Sequence, residues 1–304
     1  MKIETKSCLI CGANVLIIKT FGRDRLFYCP ECDVHFDAVM PEKSDLEDYY
    51  QKAYKITDTD FIRTEKRRLS RIPEQFSLLG DIIKHIPPPA KLLDIGCDKG
   101  FFLDEARRIG YDVSGVEPSE SAKNYCSTVG LNVVRDIEMV KNKFNIITLW
   151  HSLEHNSDPI KFLNIIKEKL ESNAYLFIRV PAFDSFWAKI LKSRWIWFQP
   201  QNHYFHFSHK SLNNLLLKLN FDVVKIERRK PNTRLTRKAF CQSQMIFSNA
   251  FENSPALIEF FKYFYQAITA VELFAVAKFK DQKYLLTLSL LLHYFMLILF
   301  FVFS

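Results

Sequence analysis

The sequence predicts an α/β fold in which helices cover both faces of a mostly parallel, seven-stranded sheet. Short apolar runs alternate with amphipathic segments, and the first convincing buried strand directly follows a proline run at 87–89, which a helix cannot cross. The predicted strands are 91–95, 112–116, 132–134, 144–149, 174–180, 222–227 and 271–279. The predicted helices lie near 100–109, 119–128, 159–170 and 210–219. Buried strands that alternate with helices are typical of parallel sheets.

Length and composition indicate one main globular domain with small additions. The chain has 304 residues, of which 48% are hydrophobic and 25% are charged, and this composition excludes a disordered protein. The formal net charge of +8 favours anionic partners such as a membrane face, nucleic acid or a phosphorylated substrate. Residues 1–4 do not begin a signal peptide with a basic and then an apolar region, so we expect a cytoplasmic location.

Four of the seven cysteines form two Cys-x-x-Cys pairs near the start of the chain. Each pair can place two thiolates on one tetrahedral zinc ion, and the residues between the pairs can form a hairpin. We therefore predict a zinc ribbon over 1–40, with structural zinc bound by Cys8, Cys11, Cys29 and Cys32. A redox-active pair is the competing interpretation, but the presence of two pairs argues against it. Residues 41–73 are predicted to form a helical connector to the main domain, 74–280.

A strand, a glycine-containing turn and a helix follow one another in the segment LLDIGCDKGFFLDEA at 92–106. Gly96 would let the backbone approach a ligand, and Gly100 would let the following helix pack against the strand. Glu117 ends the next strand, where an acid can accept hydrogen bonds from both ribose hydroxyls of a nucleoside. These features predict a Rossmann-like domain that binds a nucleoside-containing cofactor.

The acids of this loop favour one cofactor class. Asp98 would repel the pyrophosphate of a dinucleotide but tolerate a nearby sulfonium cation, and Asp94 can bind an ammonium group. Both properties suit S-adenosylmethionine. We predict that this cofactor is bound by Asp94, Gly96, Cys97, Gly100, Glu117, Asp136, Ile137 and Trp150.

The loop resembles motif I of class I S-adenosylmethionine-dependent methyltransferases, usually D-x-G-C-G-x-G, and Glu117 matches the acidic position that follows it. The resemblance continues through FNIITLWHSLEHNSDP at 144–159, through 176–185 and through 203–224. It departs from the family pattern at Asp98, which replaces a glycine, and at Asn145, which replaces an acid. The resemblance implies methyltransferase activity and a seven-stranded Rossmann-like sheet.

The end of strand 144–149 carries the catalytic candidates, because the carboxyl ends of parallel strands form the ligand crevice. His151 is the candidate general base for a hydroxyl acceptor, with His155 and Glu154 as further candidates. The alternative is that Glu154 and His155 only cap the next helix or hold the loop. The segment is also similar to that of ubiquinone-pathway O-methyltransferases, where acids and a histidine are associated with a divalent cation. His151 stands where an acid would be expected.

Two aromatic or apolar segments extend the prediction. The stretch 187–208 lies where this fold inserts substrate-binding elements, and Trp195, Trp197, His203 and His206 are candidates to line an acceptor pocket.

The apolar run of 21 residues at 284–304 would span about 31 Å as a helix, which matches a bilayer core. We expect a C-terminal transmembrane helix that tethers the protein to the cytoplasmic face of a membrane, because lysines precede the run and no charge follows it.

The sequence therefore predicts a methyltransferase that acts on a hydroxyl of a small or lipid-linked acceptor. One alternative is an RNA methyltransferase whose zinc ribbon holds RNA, although acidic residues dilute the charge of the ribbon. The other alternative is a non-catalytic S-adenosylmethionine-binding protein, suggested by Asp98 and Asn145.

Overall fold

The computed structural model describes residues 7–14, 17–21, 24–37, 60–195, 197–200, 202–230 and 271–279, with the backbone alone described at 60–63. The first strands are short: β1 (Ile17–Phe21), β2 (Asp24–Cys29) and β3 (Val34–Asp37). The first described helix, α1 (Asp60–Ile83), precedes the proline run. Pro73 lies within α1, so the connector boundary predicted at 73/74 falls inside a continuous helix.

Strands and helices alternate after the proline run. Their bounds are β4 (Lys91–Ile95), α2 (Phe101–Arg108), β5 (Asp112–Val116), α3 (Glu120–Thr128), β6 (Val133–Val134), β7 (Phe144–Trp150), α4 (Pro159–Glu168) and β8 (Leu170–Pro181). They continue with α5 (Phe186–Leu191), β9 (Phe205–His206), α6 (His209–Lys218), β10 (Phe221–Arg229) and β11 (Glu272–Phe279).

The main sheet has seven strands in the order β10-β11-β8-β7-β4-β5-β6. The five strands from β8 to β6 pair in parallel, and β11 runs antiparallel to both β8 and β10. The predicted Rossmann-like, mostly parallel sheet is therefore confirmed. The largest shift at a strand start is in β8, which begins four residues before the predicted position 174.

Apolar side chains explain why these strands are central. Leu93, Ile147, Leu176 and Ile178 are fully buried in the main core, and Leu92, Ile146 and Phe177 are fully buried in a second core on the other face of the sheet. Because both faces of these strands are covered, the strands appear in the sequence as continuous apolar runs and not as alternating patterns.

The second sheet has four strands in the order β1-β2-β3-β9. Its first three strands come from the cysteine-containing segment, and β9 comes from the aromatic stretch of the main domain. The segment predicted as a zinc ribbon is therefore joined to the main domain through a shared sheet, which the sequence prediction did not include.

The predicted membrane segment at 284–304 lies outside the described residues. Within the ranges that the structure describes, no helix combines the length and the apolar character needed to cross a bilayer.

Candidate functional site

A cavity of about 660 Å³ opens at the carboxyl ends of β4, β5 and β7. A second cavity of about 330 Å³ lies beside it. Six residues line both cavities: Arg67, Gly96, Asp98, His151, His155 and Trp197. The two cavities together form one cleft at the edge of the sheet where α/β folds bind ligands.

Gly96 shapes the turn after β4. Its φ of +79° is a left-handed backbone conformation that favours glycine, and its amide donates a hydrogen bond of 2.8 Å to the carbonyl oxygen of Val116. A Cβ atom at Gly96 would lie 2.5 Å from Oγ of Ser152, which itself donates a 2.6 Å hydrogen bond to the Ile95 carbonyl oxygen. The bare backbone at this position therefore brings the β4 and β7 ends close together and leaves a cradle for a ligand.

Gly100, which the sequence places among the cofactor-binding residues, lies outside the two cavities. It has a φ of +68° directly before α2. A Cβ atom here would lie 2.4 Å from Cδ1 of Leu131 and 3.0 Å from Sγ of Cys126. A side chain would therefore separate α2 from α3 and distort the loop.

Glu117 lies in the larger cavity and is 5% exposed. Its carboxylate accepts hydrogen bonds from the backbone amides of Asp98, at 2.8 Å, and Ser119, at 2.9 Å. Burial raises the pKa of Glu117 to about 7, although these two hydrogen bonds oppose the shift. The carboxylate is thus held rigidly at the tip of β5, where it can accept from ribose hydroxyls.

Asp98, which departs from the family pattern, uses its backbone to orient Glu117. Its φ of +49° is a left-handed conformation that aspartate tolerates better than most residues. Among the described residues, its buried Oδ1 atom has no hydrogen-bond partner. Asp98 therefore adopts a left-handed conformation of the kind that glycine favours, and it adds a carboxylate that lines both cavities.

The remaining predicted cofactor residues divide between the two cavities. Asp136 and Ile137 line the larger cavity beside Glu117. Asp94, Cys97 and Trp150 line the smaller cavity. Asp94 accepts a 2.7 Å hydrogen bond from Oγ1 of Thr148, and burial raises its pKa to about 7 against the effect of that bond.

His151 lies at the junction of the cavities, with its side chain 26% exposed. Its Nδ1 is 3.3 Å from Oε1 of Glu154, and its Nε2 is 3.4 Å from Oε1 of Glu272. Burial lowers the pKa of His151, but the hydrogen bonds to these two carboxylates outweigh that effect and raise the pKa to about 9. The ring also stacks on Trp197, with centroids 5.2 Å apart and planes 4° apart.

The surroundings of His151 bear on the general-base role that the sequence predicts for it. Both ring nitrogens face carboxylates. The raised pKa favours the protonated imidazole, which has no lone pair with which to accept a proton from a substrate. His151 thus contacts Glu154, Glu272 and Trp197 at the same time.

Glu154, His155 and His203 form a compact group in which one donor atom of each lies within 4.8 Å of the others. His155 Nδ1 is 2.8 Å from the Asn202 carbonyl oxygen, and His203 Nδ1 is 2.8 Å from the Trp197 carbonyl oxygen. A carbonyl oxygen only accepts, so each ring donates from Nδ1 and keeps its lone pair on Nε2.

Glu154 is 1% exposed, and its Oε2 atom has no hydrogen-bond partner in the described part of the chain. Burial raises the pKa of Glu154, but the hydrogen bond from His151 and the nearby histidines outweigh burial and hold it below its usual value. Burial lowers the pKa of His203 to about 4. The group thus combines an ionised carboxylate with uncharged imidazole at His203, donor types that can hold a divalent cation.

Two of the four aromatic-stretch candidates line the cavities. Trp197 and His203 do so, whereas Trp195 and His206 are buried between the aromatic stretch and β1–β3. His206 packs against Phe183 and Phe198, with ring centroids at 4.8 and 5.4 Å. The prediction that Trp195 and His206 line the acceptor pocket is therefore wrong.

The sequence prediction missed several charged residues of the cleft. Arg179 on β8 forms a buried ion pair with Glu272 on β11 and a 2.9 Å contact with Glu74 on α1. Arg67 on α1 lines both cavities, and Arg71 on the same helix lines the smaller one. The only signal in the sequence was an isolated charge within each of two apolar strands, at Arg179 and Glu272.

The four predicted zinc ligands lie together. Cys8 Sγ is 3.6 Å from Cys32 Sγ, Cys11 Sγ is 3.5 Å from Cys29 Sγ, and all four sulfur atoms are within 4.8 Å of one another. Tetrahedral zinc with Zn–S bonds of about 2.3 Å requires sulfur atoms about 3.8 Å apart. The four thiols therefore fit a zinc ion.

A family model described as a methyltransferase domain matches residues 61–226, more than half of the chain. The chain therefore belongs to the methyltransferase-domain family. Its fold and cofactor loop identify the matched region as a class I, S-adenosylmethionine-dependent methyltransferase domain.

Individual relatives agree with this assignment. Over 145 residues the chain is 32% identical to the ubiquinone biosynthesis O-methyltransferase of Coxiella burnetii (strain Dugway 5J108-111), covering 44% of this chain and 57% of that protein. Over 102 residues it is 30% identical to the protein of the same name from Actinobacillus pleuropneumoniae serotype 5b (strain L20), covering 29% of this chain and 44% of that protein. The chain thus spans about half the length of the curated relatives that it matches.

One solved structure shows the same fold. The 1,6-didemethyltoxoflavin-N1-methyltransferase of Burkholderia thailandensis superposes with a TM-score of 0.51 at 15% identity, covering 87% of this chain and 99% of that chain. That enzyme was solved with 1,6-didemethyltoxoflavin and S-adenosylhomocysteine bound. An S-adenosylmethionine-dependent methyltransferase from Archaeoglobus fulgidus has a TM-score of 0.49 at 20% identity, covering 73% of this chain and 100% of that chain.

Proposed function

We propose that this protein transfers a methyl group from S-adenosylmethionine to a hydroxyl oxygen of a small or lipid-linked acceptor. The observation that supports this most directly is the arrangement of the cleft. The acids that suit the cofactor lie at the ends of β4 and β5, and the His155 and His203 imidazoles come from the loop after β7 and from the aromatic stretch. Gly96, Asp98 and Trp197 line both cavities, so donor and acceptor can meet between these two sets.

When bound, the cofactor supplies a methyl group on a sulfonium. The residues on the cofactor side of the cleft bind the cofactor and orient it. Glu117 accepts hydrogen bonds from the ribose, while Asp94 and Asp98 offer carboxylates to the ammonium group and the sulfonium. Arg67 and Arg71 both line the smaller cavity, where their cations suit a carboxylate. Alignment of the methyl group with the acceptor oxygen accounts for most of the rate that such a site can provide.

On the acceptor side, we propose that His155 removes the hydroxyl proton at Nε2. Its ring is oriented by the hydrogen bond from Nδ1 to the Asn202 carbonyl oxygen. The buried Glu154 carboxylate beside it favours the protonated imidazole that results. Alternatively, Glu154, His155 and His203 hold a divalent cation that binds the acceptor oxygen. In that case added Zn²⁺, Mn²⁺ or Co²⁺ would raise turnover, and His203→Ala would abolish the response.

The relatives named above support the acceptor class, since the curated name of both is ubiquinone biosynthesis O-methyltransferase. The apolar run 284–304 supports contact with a membrane, where lipid-linked acceptors reside. Flotation of the full chain with lipid vesicles tests this contact, and a chain that stays at the bottom of the gradient would argue against it.

Calorimetry with S-adenosylmethionine, followed by transfer of labelled methyl groups into fractionated cell extract, tests the proposal as a whole. We expect cofactor binding and label in the lipid or small-molecule fraction. Label in RNA, with binding that weakens steeply with salt, would favour an RNA methyltransferase. Absence of binding at millimolar S-adenosylmethionine would contradict both methyltransferase activities.

A further inference from the structure

The last strand of the cysteine ribbon (residues 7–37) forms part of the wall that carries His203. Strand β3 pairs antiparallel with β9, with His35 opposite His206 and Phe36 opposite Phe205. The Phe36 and Phe205 rings are stacked, with centroids 5.6 Å apart. Because β9 begins two residues after His203, the ribbon and the acceptor side of the cleft share one sheet.

A short series of backbone hydrogen bonds joins the ribbon to Glu154. The amide of Asp37 donates to the carbonyl oxygen of Tyr204 at 2.9 Å. The amide of Tyr204 in turn donates to the carbonyl oxygen of Glu154 at 2.9 Å. The backbone at Tyr204, next to His203, is therefore held between the end of β3 and the loop that carries Glu154 and His155.

Both cysteine knuckles are anchored on the main domain by their own carbonyl oxygens. The Lys218 ammonium donates to the carbonyl oxygen of Ile10, which lies between Cys8 and Cys11. Oγ of Ser208 donates a 2.8 Å hydrogen bond to the carbonyl oxygen of Asp33, directly after Cys32. These oxygens are in place only while the knuckles keep their turns, and four thiolates on one zinc ion would fix both turns.

The burial of β3 shows which surface of the ribbon contacts the rest of the protein. Each of its four residues is at most 8% exposed, and Phe36 and Val34 belong to the main core. A nucleic acid would need an open, basic face. Strand β3 instead contacts the methyltransferase domain.

We propose that the cysteine ribbon is a positioning element of the active site, which fixes His203 opposite Glu154 and His155 through β3 and β9. The inference rests on the proposed function in one respect: it assumes that the wall that carries His203 faces the acceptor. A zinc ion in the knuckles would then act at a distance on the acceptor side of the cleft while leaving the cofactor side unchanged.

Hydrogen exchange of the full chain, with and without zinc, tests the positioning role without any turnover. After zinc is removed with a chelator, we expect the amides of 204–206 to exchange at least roughly tenfold faster, because their partners on β3 and Glu154 are released. The amides of β4 should keep their protection, and the Kd for S-adenosylhomocysteine should change by less than about twofold. If zinc removal leaves exchange at 204–206 unchanged, or weakens cofactor binding in parallel, the proposal is wrong.

A substitution that keeps all four cysteines gives an independent test. Lys218→Met removes the donor to Ile10 but keeps most of the side chain, and Lys210→Met on the exposed face of the same helix is the matched control. We expect faster exchange at 204–206 in Lys218→Met alone, with zinc content unchanged in both. Equal exchange in the two variants would contradict the proposal. This readout does not depend on the acceptor, so it remains decisive if the proposed reaction is wrong.

Discussion

The two sides of the cleft that we propose for the cofactor and for the acceptor are built in different ways. The cofactor side is made by residues close in sequence, from Asp94 to Gly100, together with Glu117 on the neighbouring strand, and backbone hydrogen bonds hold it. The acceptor side joins Glu154 and His155 to His203 from a separate segment, and His203 is supported by the ribbon. The first is a local unit of one strand–turn–helix motif, whereas the second depends on tertiary contacts.

This difference predicts that a change on the acceptor side will strongly reduce turnover and leave cofactor binding nearly unchanged. In His155→Gln the lone pair proposed to take the acceptor proton is lost, so we expect kcat to fall about 10²- to 10⁴-fold. The Kd for S-adenosylhomocysteine, measured by calorimetry, should stay within about twofold, since Glu117 and the glycine turn are intact. His209→Gln, an exposed histidine at the start of α6, serves as the control. Full activity in His155→Gln would remove His155 from the mechanism.

The converse change should affect binding first. Glu117→Ala removes the carboxylate that Asp98 and Ser119 orient, and hydrogen bonds to a charged group contribute about 1.5–3 kcal/mol. We therefore expect the Kd for S-adenosylmethionine to rise roughly 10- to 100-fold. Glu120→Gln, at the start of the next helix, should bind normally because, in the part of the chain that the structure describes, its carboxylate pairs with Lys123 and lines neither cavity. Unchanged affinity in Glu117→Ala would refute its ribose role.

The same contrast explains what could be predicted from the sequence. Periodicity and the proline stop are local signals, so the seven strands were predicted correctly in type and place. The glycine turn is a local signal too, and Asp94, Gly96 and Glu117 line the cleft at the strand ends where the sequence places them. The pairing of β3 with β9 joins residues about 170 positions apart and involves a two-residue strand, which leaves no periodic pattern.

The sequence predicted the position of His151 but could not predict its charge state. Its place at the end of β7 was predicted, but its charge depends on Glu272, which arrives from the last strand of the sheet. A sequence shows an isolated glutamate in an apolar strand but not which histidine it faces.

The ion pairs of His151 lead to a prediction about stability. The folded-state pKa of His151 is about 9, above its ordinary value of 6.5, so the stabilisation by its charged form is complete below about pH 6.5 and lost as the pH rises through 9. We expect the free energy of unfolding to fall by on the order of 1–2 kcal/mol across this range. Urea unfolding at both ends of the range should show a smaller fall in Glu272→Gln, which keeps only the Glu154 partner. An identical fall in the two proteins would show that Glu272 does not set the charge of His151.

The smallest expected effect concerns the pH dependence of cofactor binding. Burial raises the pKa of Glu117 and of Asp94 to about 7. Both groups bind the cofactor best as ionised carboxylates, so the affinity for the cofactor should weaken as the pH falls below 7. Between pH 8 and pH 6 we expect a several-fold rise in the Kd for S-adenosylhomocysteine, at most roughly tenfold for each group per pH unit. Glu117→Gln removes one of the two titrations and should flatten the curve, whereas His155→Gln should leave its shape unchanged. A curve altered equally by both variants would mean that the two sides of the cleft are coupled, and the separation between a local cofactor side and a tertiary acceptor side would then fail.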